Sequence, residues 1–299
     1  MGARDGGYRG RMVEIRAATL ADAEQIYELL DAPSRRGLSD SVLSPAAVAA
    51  DFAGAPADRW LAVENGSVVG FAKLGGSGAL VLTASDADVG DELYGEAEAR
   101  ALEQGYRALE ATVIPEDETF QALVTRSGFA HDREVLRMWR MLDRDLPTPR
   151  WADGTHVRTY DDTDAEQVHA LLDEAYADWD TSFVPMPHDE WLSFMTDHDE
   201  FDPKMWFLVE RDSELVACAL HWKEHQRRGW VKDLVVRASE RGQGLGKALL
   251  HHGFREYAQR DTERVGLKVD AANPTGAIEL YARVGFETDR RYEMWRKQL

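Results

Sequence analysis

The chain has 299 residues, enough for two ordinary domains, and 44% of them are hydrophobic with no apolar run of membrane-spanning length. A formal net charge of −19 disfavours nucleic acid, whose binders need a basic stripe, and equally disfavours anionic membrane surfaces, while it suits a cationic small molecule. The single cysteine, Cys218, cannot close an internal disulfide and lies in the apolar run Leu215-Val216-Ala217-Cys218-Ala219-Leu220, as a buried structural thiol would, so the cytoplasm is the expected compartment.

Residues 1–12 are rich in Gly and Arg but lack the apolar core of a secretory signal, and they read as a disordered leader. The next segment, 13–145, opens with Ile15-Arg16-Ala17-Ala18-Thr19 ahead of Asp22-Ala23-Glu24-Gln25-Ile26 and Leu29-Leu30. Trp60-Leu61-Ala62-Val63-Glu64 then meets a polar turn, Asn65-Gly66, and a second apolar strand, which predicts a β-hairpin. Gly128-Phe129 and Met138-Trp139-Arg140 close the segment, and Leu146-Pro147-Thr148-Pro149 marks a linker over 146–150.

Residues 151–299 repeat the pattern. Val157-Arg158-Thr159-Tyr160-Asp161 leads into Asp164-Ala165-Glu166-Gln167-Val168 and Leu171-Leu172. Trp206-Phe207-Leu208-Val209-Glu210 answers the first hairpin, and Gly285-Phe286 with Met294-Trp295-Arg296 answers the first ending. Two copies of one α/β unit follow, each a sheet flanked by helices.

The copies differ where chemistry belongs. In the second, the strand-like Trp230-Val231-Lys232-Asp233-Leu234-Val235-Val236 runs into Arg241-Gly242-Gln243-Gly244-Leu245-Gly246-Lys247 and then a helix lined by Leu249, Leu250, Phe254 and Tyr257. A glycine-rich turn at a helix start aims free backbone N–H groups and the positive end of the helix dipole at one point, where an anion such as a pyrophosphate is favoured. A Walker A loop would need Ser or Thr where Ala248 stands, and a dinucleotide fingerprint would need Gly where Leu249 stands. Aligned without gaps, the first copy has Ser85 in place of Arg241, Asp86 in place of Gly242 and Asp88 in place of Gly244. Carboxylates there would repel a pyrophosphate, so the first copy is expected to be degenerate.

The spacing Arg241-x-x-Gly244-x-Gly246 resembles the acyl-coenzyme A loop of the GNAT superfamily of N-acetyltransferases. The later run Val269-Asp270-Ala271-Ala272-Asn273-Pro274, with Ala277, Leu280-Tyr281 and Gly285-Phe286, is similar to that superfamily's second motif. In the first copy Glu116 stands opposite Asn273 and Val124 opposite Tyr281. One intact and one degenerate copy resembles the tandem-domain GNAT arrangement, in which mycothiol synthase is found. The resemblance implies an α/β fold of two tandem GNAT-like domains, each a mixed, mostly antiparallel sheet flanked by helices, with the catalytic domain at 151–299.

It also implies acetyl-CoA as the acyl donor. The strand Leu234, Val235 and Val236 would supply backbone groups to the pantetheine arm and the thioester oxygen. Arg241, Gly242, Gln243, Gly244, Leu245, Gly246 and Lys247 would hold the pyrophosphate. Asn273 would contact coenzyme A, and Tyr281 would protonate the departing thiolate. Asp233, on the strand beside the thioester, is the carboxylate to take the amine proton, directly or through a water, with a plain hydrogen-bonded Asp as the equal alternative. Simple alternation would put it on one face with Val231 and Val235. His221 is a second base candidate.

The acceptor pocket would come from Tyr176-Ala177-Asp178-Trp179-Asp180, Phe183, His188-Asp189-Glu190-Trp191 and Phe194, where aromatics interleaved with carboxylates suit a cationic amine. From Asp189 onward the segment reads rather as an amphipathic helix burying Trp191, Leu192 and Met195. His251 and His252 point apart on a helix, and no cluster has metal-ligand spacing, so no metal is expected. The expected reaction is direct acetyl transfer to the primary amine of a small molecule. Rival readings are a mycothiol-type thiol-biosynthesis acetyltransferase and a non-catalytic acyl-coenzyme A sensor. A homodimer is left open.

Overall fold

Each repeat folds through the same series of elements in the computed structural model, which describes residues 12–35, 45–53, 57–143, 145–180, 183–224 and 227–299. Apart from Met12, the leader expected over 1–12 lies outside the described residues. The first run is β1 (Val13–Ala17), α1 (Ala23–Arg35), α2 (Pro45–Ala53), β2 (Asp58–Glu64), β3 (Ser67–Leu74), β4 (Ala79–Ala84), α3 (Ala87–Glu103), β5 (Ala108–Val113), α4 (Glu118–Arg126) and β6 (Ala130–Met141). The second is β7 (Thr155–Thr159), α5 (Ala165–Ala177), α6 (His188–Thr196), β8 (Phe201–Arg211), β9 (Glu214–Glu224), β10 (Arg228–Val236), α7 (Leu245–Gln259), β11 (Arg264–Asp270), α8 (Ala277–Arg283) and β12 (Glu287–Gln298).

The repeat extends to side-chain chemistry. Arg16 donates to Asp22 at 2.6 Å, and Arg158 donates to Asp164 at 2.6 and 2.7 Å, each pair tying a first strand to the helix start that follows it. Both carboxylates sit at the third position of a capping box, so each also satisfies an orphan backbone donor. The hairpins turn through left-handed residues, Asn65 with Gly66 and Asp212 with Ser213, whose positive φ matches the twist of tight two-residue connections.

The compact units are not the sequence halves. The first comprises residues 1–134 with 291–299, and the second comprises 135–290. Within the first unit the strands run β1-β2-β3-β4-β5-β12, and within the second β6-β11-β10-β9-β8-β7. Every neighbouring pair in each series is antiparallel except β4 with β5 and β10 with β11. Each repeat thus gives its closing strand to the other unit: Val135–Met141 of β6 pair with β11, and Glu293–Gln298 of β12 pair with β5. The boundary expected at 146–150 separates the repeats in sequence, whereas packing divides the chain at 135 and 291.

In the second unit two apolar clusters cover opposite faces of the sheet. One holds Val231 with Leu245, Leu249, Leu250 and Phe254 of α7 and Tyr281 of α8. The other holds Val235 and Cys218 with Leu171, Leu172 and Ala175 of α5 and Trp191 and Met195 of α6. Trp191, Leu192 and Met195 therefore turn inward as the amphipathic reading expects. Tyr257 pins α7 to the sheet: its hydroxyl donates to the Trp222 carbonyl at 2.8 Å and accepts from the Trp230 amide at 3.0 Å. A side chain at Gly229 would sit 2.3 Å from that ring, so glycine is required there. Burying an aromatic ring of this kind contributes about 1.5–3 kcal/mol.

Candidate active site

The site forms where β10 and β11 part. Their parallel ladder covers Arg228–Val231 against Arg264–Leu267 and goes no further among the described residues. Beyond it, Asp233, Leu234, Val235 and Val236 pair on their other side with Leu220, Ala219, Cys218 and Ala217 of β9. The edge of β10 facing β11 is left as a wedge of backbone donors and acceptors, where a linear amide-bearing arm can add like a strand. Leu234, Val235 and Val236 lie on that edge. β4 and β5 pair at only two registers in the first unit, so an opening of this kind belongs to the fold in both copies.

The two copies diverge at the helix that follows. α7 starts on Gly244, which adopts φ +85° in the left-handed region, and no side chain caps it. Gly242 likewise has φ +77°, a conformation that disfavours any residue with a Cβ. Gly242 and Gly244 are exposed and a Cβ on either would meet nothing within 4 Å, so backbone conformation rather than crowding selects glycine here. Gly246 differs: it is buried, and a Cβ would stand 3.1 Å from Leu280 of α8. Leu245 is buried and Lys247 exposed. In the first unit the aligned turn is wound into α3, which begins two residues earlier in register, and the Asp86 side chain accepts from the Val89 amide at 3.1 Å. A carboxylate of the chain itself occupies the helix start there, and no side chain takes that place in α7.

Arg241 does not stand free beside this loop. Its Nε donates to the Val236 carbonyl at 3.1 Å and its guanidinium donates to Asp178 at 2.6 Å. Gln243 accepts from Arg211 at 2.9 Å and donates to Glu240 at 3.1 Å. Asn273 shapes the turn before α8, its Oδ1 accepting from the Thr275 amide at 2.9 Å and the Thr275 hydroxyl at 2.5 Å.

Asp233 is buried, and its Oδ1 accepts from the Tyr176 hydroxyl of α5 at 2.5 Å. Its Oδ2 lies 3.3 Å from the Lys232 ammonium. Tyr281 is buried on α8, and burial, followed by the Asp233 charge, pushes its hydroxyl well above the usual phenol range. The Asp233 charge, followed by burial, does the same to Tyr176. Cys218 is raised by burial and then by Asp233, which leaves a protonated, inert thiol. One carboxylate is thus surrounded by groups that keep their protons at neutral pH.

Two expectations change. Strict alternation placed Val231 on the face of Asp233, but a β-bulge at Lys232 interrupts the register between Val231 and Asp233. Val231 packs with α7, whereas Val235 packs with α5 and α6 and Asp233 bonds to Tyr176 of α5. His221 lies on the α7 side of the sheet, away from the α5 side where Asp233 meets Tyr176: it is fully buried, packs against Phe207, Tyr257 and Gly253, and is lowered to about 3 by burial, with neighbouring His252 adding to the effect.

Where the acceptor pocket is expected, Tyr176 stacks on Phe183 at 5.5 Å and Trp179 lies 6.4 Å from it. Asp189 and Glu190 face solvent. The bonds from Tyr176 to Asp233 and from Asp178 to Arg241 were missed by sequence reasoning, because each joins α5 or its end to the β10 segment across more than fifty residues. Among the described residues no group of three or more His, Cys, Asp or Glu side chains is placed to hold a metal, and no helix is long and apolar enough to cross a membrane.

The family model described as "Acetyltransferase (GNAT) family" matches residues 165–286, which fall inside the second unit. A mycothiol acetyltransferase from Thermobispora bispora is 31% identical over 292 residues, covering 92% of this chain and 95% of the relative. The chain belongs to the GNAT family of acetyltransferases. A mycothiol acetyltransferase from Streptomyces coelicolor is 30% identical over 80% of this chain and 79% of its own length. Among solved structures, a GCN5-related N-acetyltransferase from Sphaerobacter thermophilus superposes with a TM-score of 0.83 at 25% identity, covering 96% of this chain and 95% of that one. A tandem GNAT protein from the clavulanic acid biosynthesis pathway shares the fold, with a TM-score of 0.75 at 19% identity over 96% and 98% of the two chains. This GNAT chain is an acetyltransferase that takes its acyl group from acetyl-CoA, built as two tandem α/β units.

Proposed function

We propose that the second unit, 135–290, carries acetyl transfer from acetyl-CoA directly to the primary amine of a small-molecule acceptor, and that the first unit supports it without a cofactor site. The observation that carries this reading is the uncapped start of α7 beside the opened edge of β10, set against the Asp86-capped start of α3. The amides from Gly242 to Lys247 suit the donor's pyrophosphate, and the exposed backbone from Leu234 to Val236 suits its pantetheine arm and thioester oxygen. Arg241 and Asn273 would exchange part of their present bonding for coenzyme A.

Tyr281 holds its proton at neutral pH and would give it to the departing thiolate. Asp233, fixed by Tyr176, would receive the proton of the attacking amine, directly or through one water. The nitrogen forms its bond to the acetyl carbon as the carbon–sulfur bond breaks, without an acyl-enzyme, since among the described residues no Ser or Cys nucleophile is placed beside Asp233 and Tyr281. Relatives matched over most of their length are mycothiol acetyltransferases, which favours a mycothiol precursor as the acceptor. The acidic chain and the rings near Tyr176 also suit cationic amines.

The test is a panel of that precursor, aminoglycosides and polyamines assayed with acetyl-CoA on wild-type protein and on Tyr281→Phe. Turnover of an amine, with kcat about 100-fold lower in Tyr281→Phe and KM for acetyl-CoA unchanged, is the expected result. Tyr281→Phe within threefold of wild type would remove the acid role. Acetyl-CoA binding without turnover of any amine would favour a sensor.

A further inference from the structure

We propose that Lys232 is a positioning residue of the acceptor site, its ammonium held beside the Phe194 and Trp222 rings so that it fixes the Asp233 carboxylate beside the Tyr176 hydroxyl. This rests on the reading of Asp233 as the carboxylate that receives the acceptor's proton.

The argument begins with the bulge. In a regular strand, residues 232 and 233 would point to opposite faces. The register shift between Val231 and Asp233 adds a residue to β10 relative to β9, and it turns two consecutive side chains the same way. Val231 packs on the α7 face, Lys232 reaches Phe194 of α6 and Trp222 of β9, Asp233 reaches Tyr176 of α5, and Leu234 returns to the α7 face. Without the bulge, Lys232 and Asp233 would lie on opposite faces of the sheet. With it, Lys232 and Asp233 stand side by side.

The surroundings of the ammonium are those that recognise a cation. Nζ lies 5.7 Å from the Phe194 ring centroid and 5.5 Å from that of Trp222, and the two rings meet edge to face at 5.9 Å. Its carboxylate partner is 3.3 Å away, with side-chain exposures of 27% for Lys232 and 4% for Asp233. A carboxylate this buried needs a fixed counter-charge, and among the described residues Lys232 is the cation within ion-pair reach of it. The other titratable groups around Asp233 are Tyr176 on α5, Tyr281 on α8 and Cys218 on β9, all held in their neutral forms. Tyr176 holds one carboxylate oxygen and Lys232 the other, which fixes the plane of the carboxylate.

The test compares Lys232→Met, Lys232→Arg and Lys232→Ala with Asp233→Asn, using the panel amine that turns over fastest. Lys232→Met is expected to lower kcat about tenfold while KM for acetyl-CoA stays within twofold, because the donor site lies along the β10 edge and α7 rather than in the cage. Lys232→Arg should recover most of the loss, since guanidinium also binds aromatic faces and pairs with carboxylate. Added ethylammonium or propylammonium should restore Lys232→Ala saturably by filling the vacated cage, a readout that a merely structural role would not move. An acetyl-CoA thermal shift equal to wild type establishes that each variant is folded. Lys232→Met within twofold of wild-type kcat, alongside a large loss in Asp233→Asn, overturns the role of Lys232 and leaves that of Asp233 standing. So does a loss that neither Lys232→Arg nor alkylammonium relieves. Asp233→Asn within twofold of wild type overturns the reading on which this inference rests.

Discussion

Replacing Gly244 by Asp would copy into the second unit the kind of charge that the first carries at Asp86 and Asp88, and its effect can be worked out in two parts. Gly244 sits at φ +85° with nothing within 4 Å of a built Cβ, so an aspartate fits sterically and incurs only left-handed backbone strain, about 1 kcal/mol. That strain is present with and without ligand and does not alter affinity. The added carboxylate does. Placed about 5 Å from the donor's pyrophosphate on this exposed turn, with an effective dielectric of about 40–80, it costs about 0.8–1.7 kcal/mol per charge. Two phosphate charges make that about 1.7–3.3 kcal/mol, a loss of roughly 20- to 250-fold in acetyl-CoA affinity. A ligand at 100 times the wild-type Kd stabilises the folded state by about 2.7 kcal/mol, and a 100-fold weaker variant would retain about 0.4 kcal/mol at that concentration. Thermal-shift titration reads this directly. Gly244→Asn is the control, equal in shape and tolerance of the left-handed region but uncharged, and should stay within about threefold of wild type. If Asp and Asn weaken binding equally, or neither does, the pyrophosphate does not lie at this helix start.

Three further outcomes follow from the same structure. Asp178→Asn should tighten acetyl-CoA binding about two- to fivefold by calorimetry, because the half-exposed Asp178–Arg241 pair, worth about 0.5–1 kcal/mol, competes with phosphate for the guanidinium; weaker binding would make Asp178 a support of the loop instead. His221, lowered to about 3 from an ordinary 6.5, leaves the unfolded chain to take up a proton that the folded chain refuses, so stability is intact above pH 6.5 and is lost as pH falls toward 3. At pH 5 that loss is about 2 kcal/mol, which His221→Leu should remove in urea melts compared with pH 7; parallel pH dependence in the two proteins would refute it. A fragment of residues 151–299 should fail to unfold cooperatively because it lacks Val135–Met141 against β11 and the buried Arg137–Asp289 pair, whereas residues 130–290 should fold. Equal cooperativity of the two fragments would show that the exchanged strand is dispensable.

Much of the architecture was legible because it is encoded locally. Hairpin turns need residues that accept positive φ, as Asn65-Gly66 and Asp212-Ser213 do, and helix starts need oxygen-bearing caps, as Asp22 and Asp164 supply. The carboxylates Asp86 and Asp88 opposite Gly242 and Gly244 were also readable, whereas the capping of α3 by Asp86 came from the structure. The base was not. Alternation along β10 predicts the face of each residue only if the ladder is regular, and the bulge at Lys232 depends on how β9 and β10 settle against one another.

Local chemistry, then, settled the repeat, the order of elements and the glycine start of α7, because propensity, capping and positive φ are decided within a few residues of chain. The partners of Asp233, the Asp178–Arg241 contact and the exchange of β6 and β12 between units were decided only by tertiary packing. Those contacts join segments far apart in sequence. Which of several compatible strands and side chains meet is set by the burial of whole faces, a property that no short stretch of residues contains.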